Sequence, residues 1–335
     1  MVDNGGLSVK NGWVRISACA CALLLAGVLD GCALTTPPLS EVQSDAVKPT
    51  VSAPTIMEDG TLTVAVDASD APQAMEGTDG EPTGYYVDVA RALAQRMGLK
   101  VKIVSVASAE RALDGKADVF IGASASDAPD DATVFGSVGE DASAVFVKAD
   151  GSQNASDITA EDMADGTVAV QDSSASQDAL VRAGITASQK AYANVNECFK
   201  ALAAGEVQYV ACDATAGAYL ARAYRDVSFA GTIGKASSFG FAVSDTGDLE
   251  SVVSDALDAL AQDGTLDAVR SAWYGDLPSD LSDAVLSGVT VSATDKDDEP
   301  ASSDSTGDAE APDDSASKDS KDNTNVIGDI NSLID

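Results

Sequence analysis

The 335-residue sequence predicts an α/β protein with mostly parallel sheets in two lobes. Three observations carry the prediction. Segments with strand-like and helix-like periodicity alternate through the middle of the chain. The alternation runs once from about residue 56 and again from about residue 166. The apolar fraction of 45% suffices for a core, while polar low-complexity sequence is confined to the ends.

The elements follow in order. TLTVAV (61–66) alternates and reads as a strand. YVDVARALAQRMG sets Ala90, Leu93, Ala94 and Met97 at helical spacing and stops at Gly98. KVKIVSV is the next strand, AERALDG a short helix, and ADVFIGA a buried strand. The second series opens with strand GTVAVQ and helix SASQDALVRAG. It continues through strand QKAYAN, helix VNECFKALAAG, strand VQYVACD and helix ATAGAYLARAY. FGFAVS is a further strand. A long helix follows, in which Leu249, Val252, Val253, Ala256, Leu257 and Leu260 form one apolar stripe. In open α/β sheets, ligands bind beyond the carboxyl ends of the strands. Here those ends are Asp67, residues 122–124, residues 171–174 and Asp213.

Both ends of the chain read differently. Lys10 and Arg15 precede an apolar run over 16–29, too short to span a bilayer comfortably and of the length of a secretory signal. It ends at Leu29-Asp30-Gly31-Cys32, which resembles a bacterial lipobox, with Asp30 where a small neutral residue is usual. That resemblance implies a signal peptide over 1–31 and a diacylated Cys32. An uncleaved signal anchor and a plain signal cut near Ala33 are the other readings. All three place the rest of the chain outside the cytoplasm. Residues 32–56, rich in Pro, Ser and Thr, read as a flexible tether. Residues 277–335 are acidic and poor in apolar side chains, so they are expected to form a disordered tail.

Composition excludes several functions. The chain has no histidine, which removes Ser-His-Asp and Cys-His catalysis and His-ligated zinc. A net charge of -34 opposes binding to nucleic acid. No phosphate-binding loop, EF-hand or zinc spacing occurs, so no cofactor and no metal is expected. Cys198 and Cys212 allow two readings, a disulfide or two buried thiols.

LAQDGTLDAVRSAWYGD (260–276) resembles the ending of the extracellular solute-binding proteins of family 3, which serve polar amino acid ABC transporters. DGTLTVAVDASDAP, GYYVDVARALAQRMGLKVKIV, ALDGKADVFIGASAS, GTVAVQDSSAS and ALAAGEVQYVACDATAGAYLA resemble further parts of that family, in the same order. The resemblance implies a type II periplasmic-binding-protein fold, with two lobes hinged by two crossing segments. Lobe one would comprise 57–147 and 236–276, and lobe two 148–235. It also implies a non-enzymatic role: capture of a small polar solute and delivery to an ABC permease with its ATPase. A membrane-tethered, extracytoplasmic location on the outer face of the cytoplasmic membrane fits both resemblances.

Ligand contacts carry over to Asp67, Gly122, Ser124, Gln171, Ser173, Ser174, Ala175 and Asp213. The turn at 171–175 reads as a backbone anion cradle, and Asp213 as the acid that receives a ligand ammonium. Two positions depart from the family. Gln73 stands where an aromatic covers the ligand, with Tyr85 or Tyr86 as substitutes. Pro129 stands where an arginine grips a ligand carboxylate, in a loop that carries Asp127, Asp130 and Asp131. These acids point to a cationic or neutral solute, or are merely solvated. A degenerate pocket serving as sensor or docking subunit is a further reading. A cyclohexadienyl-dehydratase-like enzyme is another, and it would lack its carboxylate-binding arginine.

Overall fold

The computed structural model describes residues 47–148, 155–224, 226–244 and 247–289. The expected signal peptide, Cys32, most of the tether and the tail beyond 289 lie outside the described residues.

The strands are β1 (Thr61–Val66), β2 (Met75–Glu76), β3 (Pro82–Thr83), β4 (Lys100–Ser105), β5 (Val119–Ala123), β6 (Ala132–Asp141), β7 (Ser143–Lys148), β8 (Thr167–Gln171), β9 (Ser188–Tyr192), β10 (Tyr209–Asp213), β11 (Val227–Thr232) and β12 (Ser237–Ser244). The helices are α1 (Tyr85–Arg96), α2 (Ala109–Leu113), α3 (Ala160–Met163), α4 (Ala175–Arg182), α5 (Val195–Ala204), α6 (Ala214–Ala221), α7 (Leu249–Gln262) and α8 (Thr265–Tyr274).

Two five-stranded sheets form, in the orders β4-β1-β5-β12-β6 and β11-β7-β10-β8-β9. Each is parallel on one side only. β4, β1 and β5 are parallel neighbours, whereas β12 runs antiparallel to β5 and β6. β9, β8 and β10 are parallel, whereas β7 runs antiparallel to β10 and β11. The sheets are therefore mixed rather than mostly parallel. The antiparallel strands are those that pass between the sheets: β6 leads to β7 through Ala142 alone, and β11 leads to β12 through residues 233–236. A direct crossing has no helix to reverse the chain, so the strand enters its new sheet in the opposite sense.

Helix ends follow their sequence signals. Ser108 accepts from the Arg111 N–H, Ser174 from Gln177 and Asn194 from Glu197, each as an N-cap. α5 stops at Gly205 in the left-handed region, φ 75°. The apolar stripe of α7 buries Leu249, Val253, Ala256, Leu257 and Leu260. In the second sheet, Phe146 packs on Phe199 and Phe229 with ring centroids 5.5 and 5.8 Å apart. α6 approaches this cluster so closely that a Cβ on Gly217 would lie 2.1 Å from the Phe146 ring.

Three boundaries differ from the sequence expectation. The end of the supposed tether is docked: Thr50 N–H donates to Met97 O at 3.0 Å, and Ile56 is buried in the core. β7 pairs in the second sheet, although the resemblance kept residues up to 147 with the first lobe. The chain also packs beyond 276. Leu277, Leu281 and Leu286 are 5%, 1% and 3% exposed. Leu281 N–H donates to Glu140 Oε2 at 2.8 Å. Further on, Leu286 N–H donates to Thr232 O and Ala160 N–H to Ser287 O, both at 2.8 Å. Isolated leucines in a polar stretch carry no periodicity, so only their tertiary pockets reveal that they are buried.

Candidate functional site

The site grows from the loop after β1. Asp67 Oδ1 accepts from the Ser69 N–H at 3.0 Å and the Ser69 hydroxyl at 2.7 Å, which turns the chain. The loop then folds onto the start of α1, where Tyr86 N–H donates to Gln73 O at 2.8 Å. Gly84 (φ 137°) makes this possible, because a Cβ there would lie 2.4 Å from Gln73 O. The result projects Asp70 and Gln73 toward the second sheet.

Gln73 is 7% exposed and meets the other lobe. Its Nε2 donates to Thr215 Oγ1 at 2.8 Å and lies 3.5 Å from Asp141 Oδ2. The Thr215 hydroxyl in turn donates to Asp141 Oδ2. Asp141 Oδ1 accepts from Ala142 N–H at 2.8 Å and Thr215 N–H at 3.3 Å. Asp141 is the last residue of β6, one residue before β7, so this latch joins the β1 loop, the crossing segment and α6. Because the Thr215 proton is committed to Asp141, only the amide NH₂ of Gln73 can face Thr215. Its Oε1 points away and has no partner.

Beside the latch lies a cavity of about 90 Å³. Its polar wall is Asp70, Gln73, Asp141, Gln171, Asp213 and Thr215, and its apolar wall includes Pro72, Val195, Tyr219 and Leu220. Among the described lining residues there is no lysine or arginine. Asp70 is pushed up to about 6, chiefly by loss of solvent and then by the charges of Asp141, Asp67 and Asp213. Asp141 is also pushed up to about 6, by burial and then by Asp213, against the hydrogen bonds from Thr215 and Ala142. Asp213 is raised by loss of solvent, opposed by its hydrogen bond from Ser176. Asp70 and Asp213 keep water access, yet protein crowds each on most sides. Three carboxylates around one cavity, each resisting ionisation, make a site that favours positive charge.

The structure distributes the expected residues unevenly. Gln73, Gln171 and Asp213 come together at the cavity. Asp67 holds the loop and adds to the field on Asp70. Tyr85 donates to Val138 O at 2.7 Å and, with Tyr86 and Tyr274, walls a smaller neighbouring cavity. Gly122 (φ 100°) is a spacer: a Cβ there would lie 2.7 Å from the Tyr86 ring. Ser124 Oγ lies 2.8 Å from Ser126 Oγ and does not line the main cavity.

The expected anion cradle is largely engaged within itself. Ser173 N–H donates to Gln177 Oε1 at 3.1 Å and Ser174 N–H to Gln171 O at 3.3 Å, just before Ala175 opens α4. Pro129, Asp130 and Asp131 line a separate surface hollow beside Arg111 and Lys116. The short helical turn at Ala125–Asp127 carries the chain out of the cleft before β6. The acids that face the cavity are thus Asp70, Asp141 and Asp213, not Asp130 or Asp131; the side chain of Asp127 lies outside the described residues. Asp70 stands four residues past the end of β1, a signal that was there to be read. Asp141 and Thr215 gave none, because only the crossing brings them together.

Cys198 and Cys212 are free and buried, so the thiol reading holds. Cys198 Sγ lies 3.4 Å from Asn194 O in its own helix, and burial pushes its thiol up to about 12. Such a thiol is inert near neutral pH. Among the described residues, no group of three or more His, Cys, Asp or Glu could hold a metal ion. No described helix is long and apolar enough to cross a membrane.

Comparison with known proteins agrees with this architecture. An ancestral cationic amino acid solute-binding protein is 27% identical, with a TM-score of 0.53 over 64% of this chain and 96% of that one. A polar amino acid ABC uptake transporter substrate-binding protein from Streptococcus thermophilus has a TM-score of 0.57 at 19% identity, over 66% and 88%. The unliganded, open L-cystine solute receptor of Neisseria gonorrhoeae has a TM-score of 0.54 at 21% identity, over 67% and 94%. No curated protein matches significantly. Residues 62–276 match one family across both sheets and the cavity between them, and the chain belongs to the bacterial extracellular solute-binding proteins, family 3.

Proposed function

We propose that this protein is a membrane-tethered trap that captures a small cationic solute between its lobes and hands it to an ABC permease. The observation that carries the reading is the trio Asp70, Asp141 and Asp213 around a cavity without lysine or arginine. An ammonium about 4 Å from one carboxylate gains roughly 4 kcal/mol of Coulomb attraction at an effective dielectric of 20, before desolvation. Asp70 belongs to the first lobe and Asp213 to the second, and Asp141 ends β6 of the first sheet, next to the crossing at Ala142. A cation held by all three therefore rewards closure. The latch Gln73–Thr215–Asp141 already bridges the lobes and would set the closed register. The likeness to a cationic amino acid solute-binding protein supports the same reading. The tether rests on the lipobox-like run ending at Cys32.

Thermal melting of the purified protein against acidic, neutral and basic amino acids and simple amines tests the reading. A ligand at a hundred times its dissociation constant adds about 2.7 kcal/mol, a shift of several degrees. Cations should raise Tm, and glutamate and aspartate should not. Stabilisation by acidic solutes alone would refute the reading, and silence across the panel would favour a docking role. Mass spectrometry of the amino-terminal peptide from membranes tests the diacylated Cys32.

A further inference from the structure

We infer that the captured solute is a small organic dication without a carboxylate, an aliphatic diamine or its guanidino counterpart, rather than an α-amino acid. The inference rests on reading the cavity as the solute site and goes further, because it assigns the charge pattern of the solute.

The first ground is unbalanced charge. No ion pair among the described residues involves Asp70, Asp141 or Asp213. A basic amino acid brings a net charge of only one and adds a fourth carboxylate to the site. A diamine brings two positive charges and none of the repulsion.

The second ground is the balance of donors and acceptors. A bound carboxylate needs N–H or O–H groups; the Gln171 amide and the Tyr219 hydroxyl line the cavity, but no cationic donor does, and the donors beside Asp141 are engaged. The Thr215 hydroxyl and N–H both donate to Asp141, and the Gln73 amide donates to Thr215. Ser173 and Ser174 N–H groups donate within their own turn. The buried group left over is an acceptor: Gln73 Oε1 is without a partner in a side chain that is 7% exposed. Three carboxylates with no lysine or arginine among the lining residues select ammonium or guanidinium N–H groups and disfavour a carboxylate.

The third ground is shape. Asp70 and Asp213 approach from opposite lobes, and Pro72, Val195, Tyr219 and Leu220 form apolar wall on which a methylene chain can lie. Positive ends joined by an apolar linker match that pattern.

Matched pairs that differ by one carboxylate provide the test: cadaverine against lysine, and agmatine against arginine, by isothermal titration calorimetry on the purified protein. Each amine should bind at least tenfold more tightly than its amino acid. Lysinamide, which keeps the bulk but not the negative charge, should bind like cadaverine. Asp213→Asn, at an accessible position, should weaken cadaverine at least tenfold. If lysine or arginine binds as tightly as its amine, this inference falls while the cationic-solute reading stands. If lysinamide binds as weakly as lysine, bulk rather than charge excludes amino acids, and the inference falls as well. If no member of either pair binds, both fall together.

Discussion

Lowering the pH from 7 to 5 should strip the cleft of its affinity for cations. Asp70 and Asp141 are each raised to about 6, first by loss of solvent and then by neighbouring carboxylates, Asp213 among them. A group with a pKa of about 6 is roughly nine-tenths ionised at pH 7 and one-tenth at pH 5. Each carboxylate that must be charged to hold the solute thus weakens binding about tenfold over this interval, or roughly 1.4 kcal/mol. Two such groups give about a hundredfold. The other ionisable groups facing the pair are Asp67, Asp213 and the Tyr86 and Tyr274 hydroxyls. Both tyrosines are raised well above 10 by burial and stay neutral throughout. The two acids titrate as a coupled set, so the fall should be broad rather than a single step. Calorimetry with cadaverine at pH 7.5, 6.5, 5.5 and 5.0 measures it. Buffers of different ionisation enthalpy would add a second readout, proton release on binding near pH 6. An affinity that is flat, or that rises toward pH 5, would show that these carboxylates do not hold the solute.

Without ligand the same shifts predict an unusual stability profile. Carboxylates raised in the folded state bind more protons there than in the unfolded chain between about pH 4 and 6, so their contribution makes the protein more stable as pH falls through 6. Urea melts at pH 7 and 5 should show a higher midpoint at pH 5, and a lower one would contradict the shifts. Thr215→Val leaves Asp141 and Gln73 without the hydroxyl between them and should cost about 1–3 kcal/mol in denaturant melts; a neutral result would mean that the latch does not form. Leu286→Ala empties a core position beyond the family match and should cost about 2–5 kcal/mol, whereas a disordered tail would register no change.

Much of the fold was legible because it rests on local physics. β1, α1, β5, α5, β10 and α7 announce themselves through periodicity, caps and glycine stops, and those signals lie within a few residues of the structure they set. The strand ends that could reach a ligand followed from the same alternation, which is why Gln171 and Asp213 were found at the cavity. The loop after Ser124 misled because its acids are conspicuous in sequence, while Asp130 and Asp131 lie at a surface hollow beside Arg111 and Lys116.

By itself the sequence determined the α/β class, the series of elements, the exclusion of histidine chemistry and the place of the chain among solute-binding proteins. Only the tertiary structure decided which carboxylates share a cavity. Asp70, Asp141 and Asp213 lie up to 143 positions apart and carry no mutual pattern along the chain. Their pairing depends on how two sheets meet across the crossings at Ala142 and residues 233–236. The field that raises them exists only when the folded protein brings like charges together and keeps solvent away.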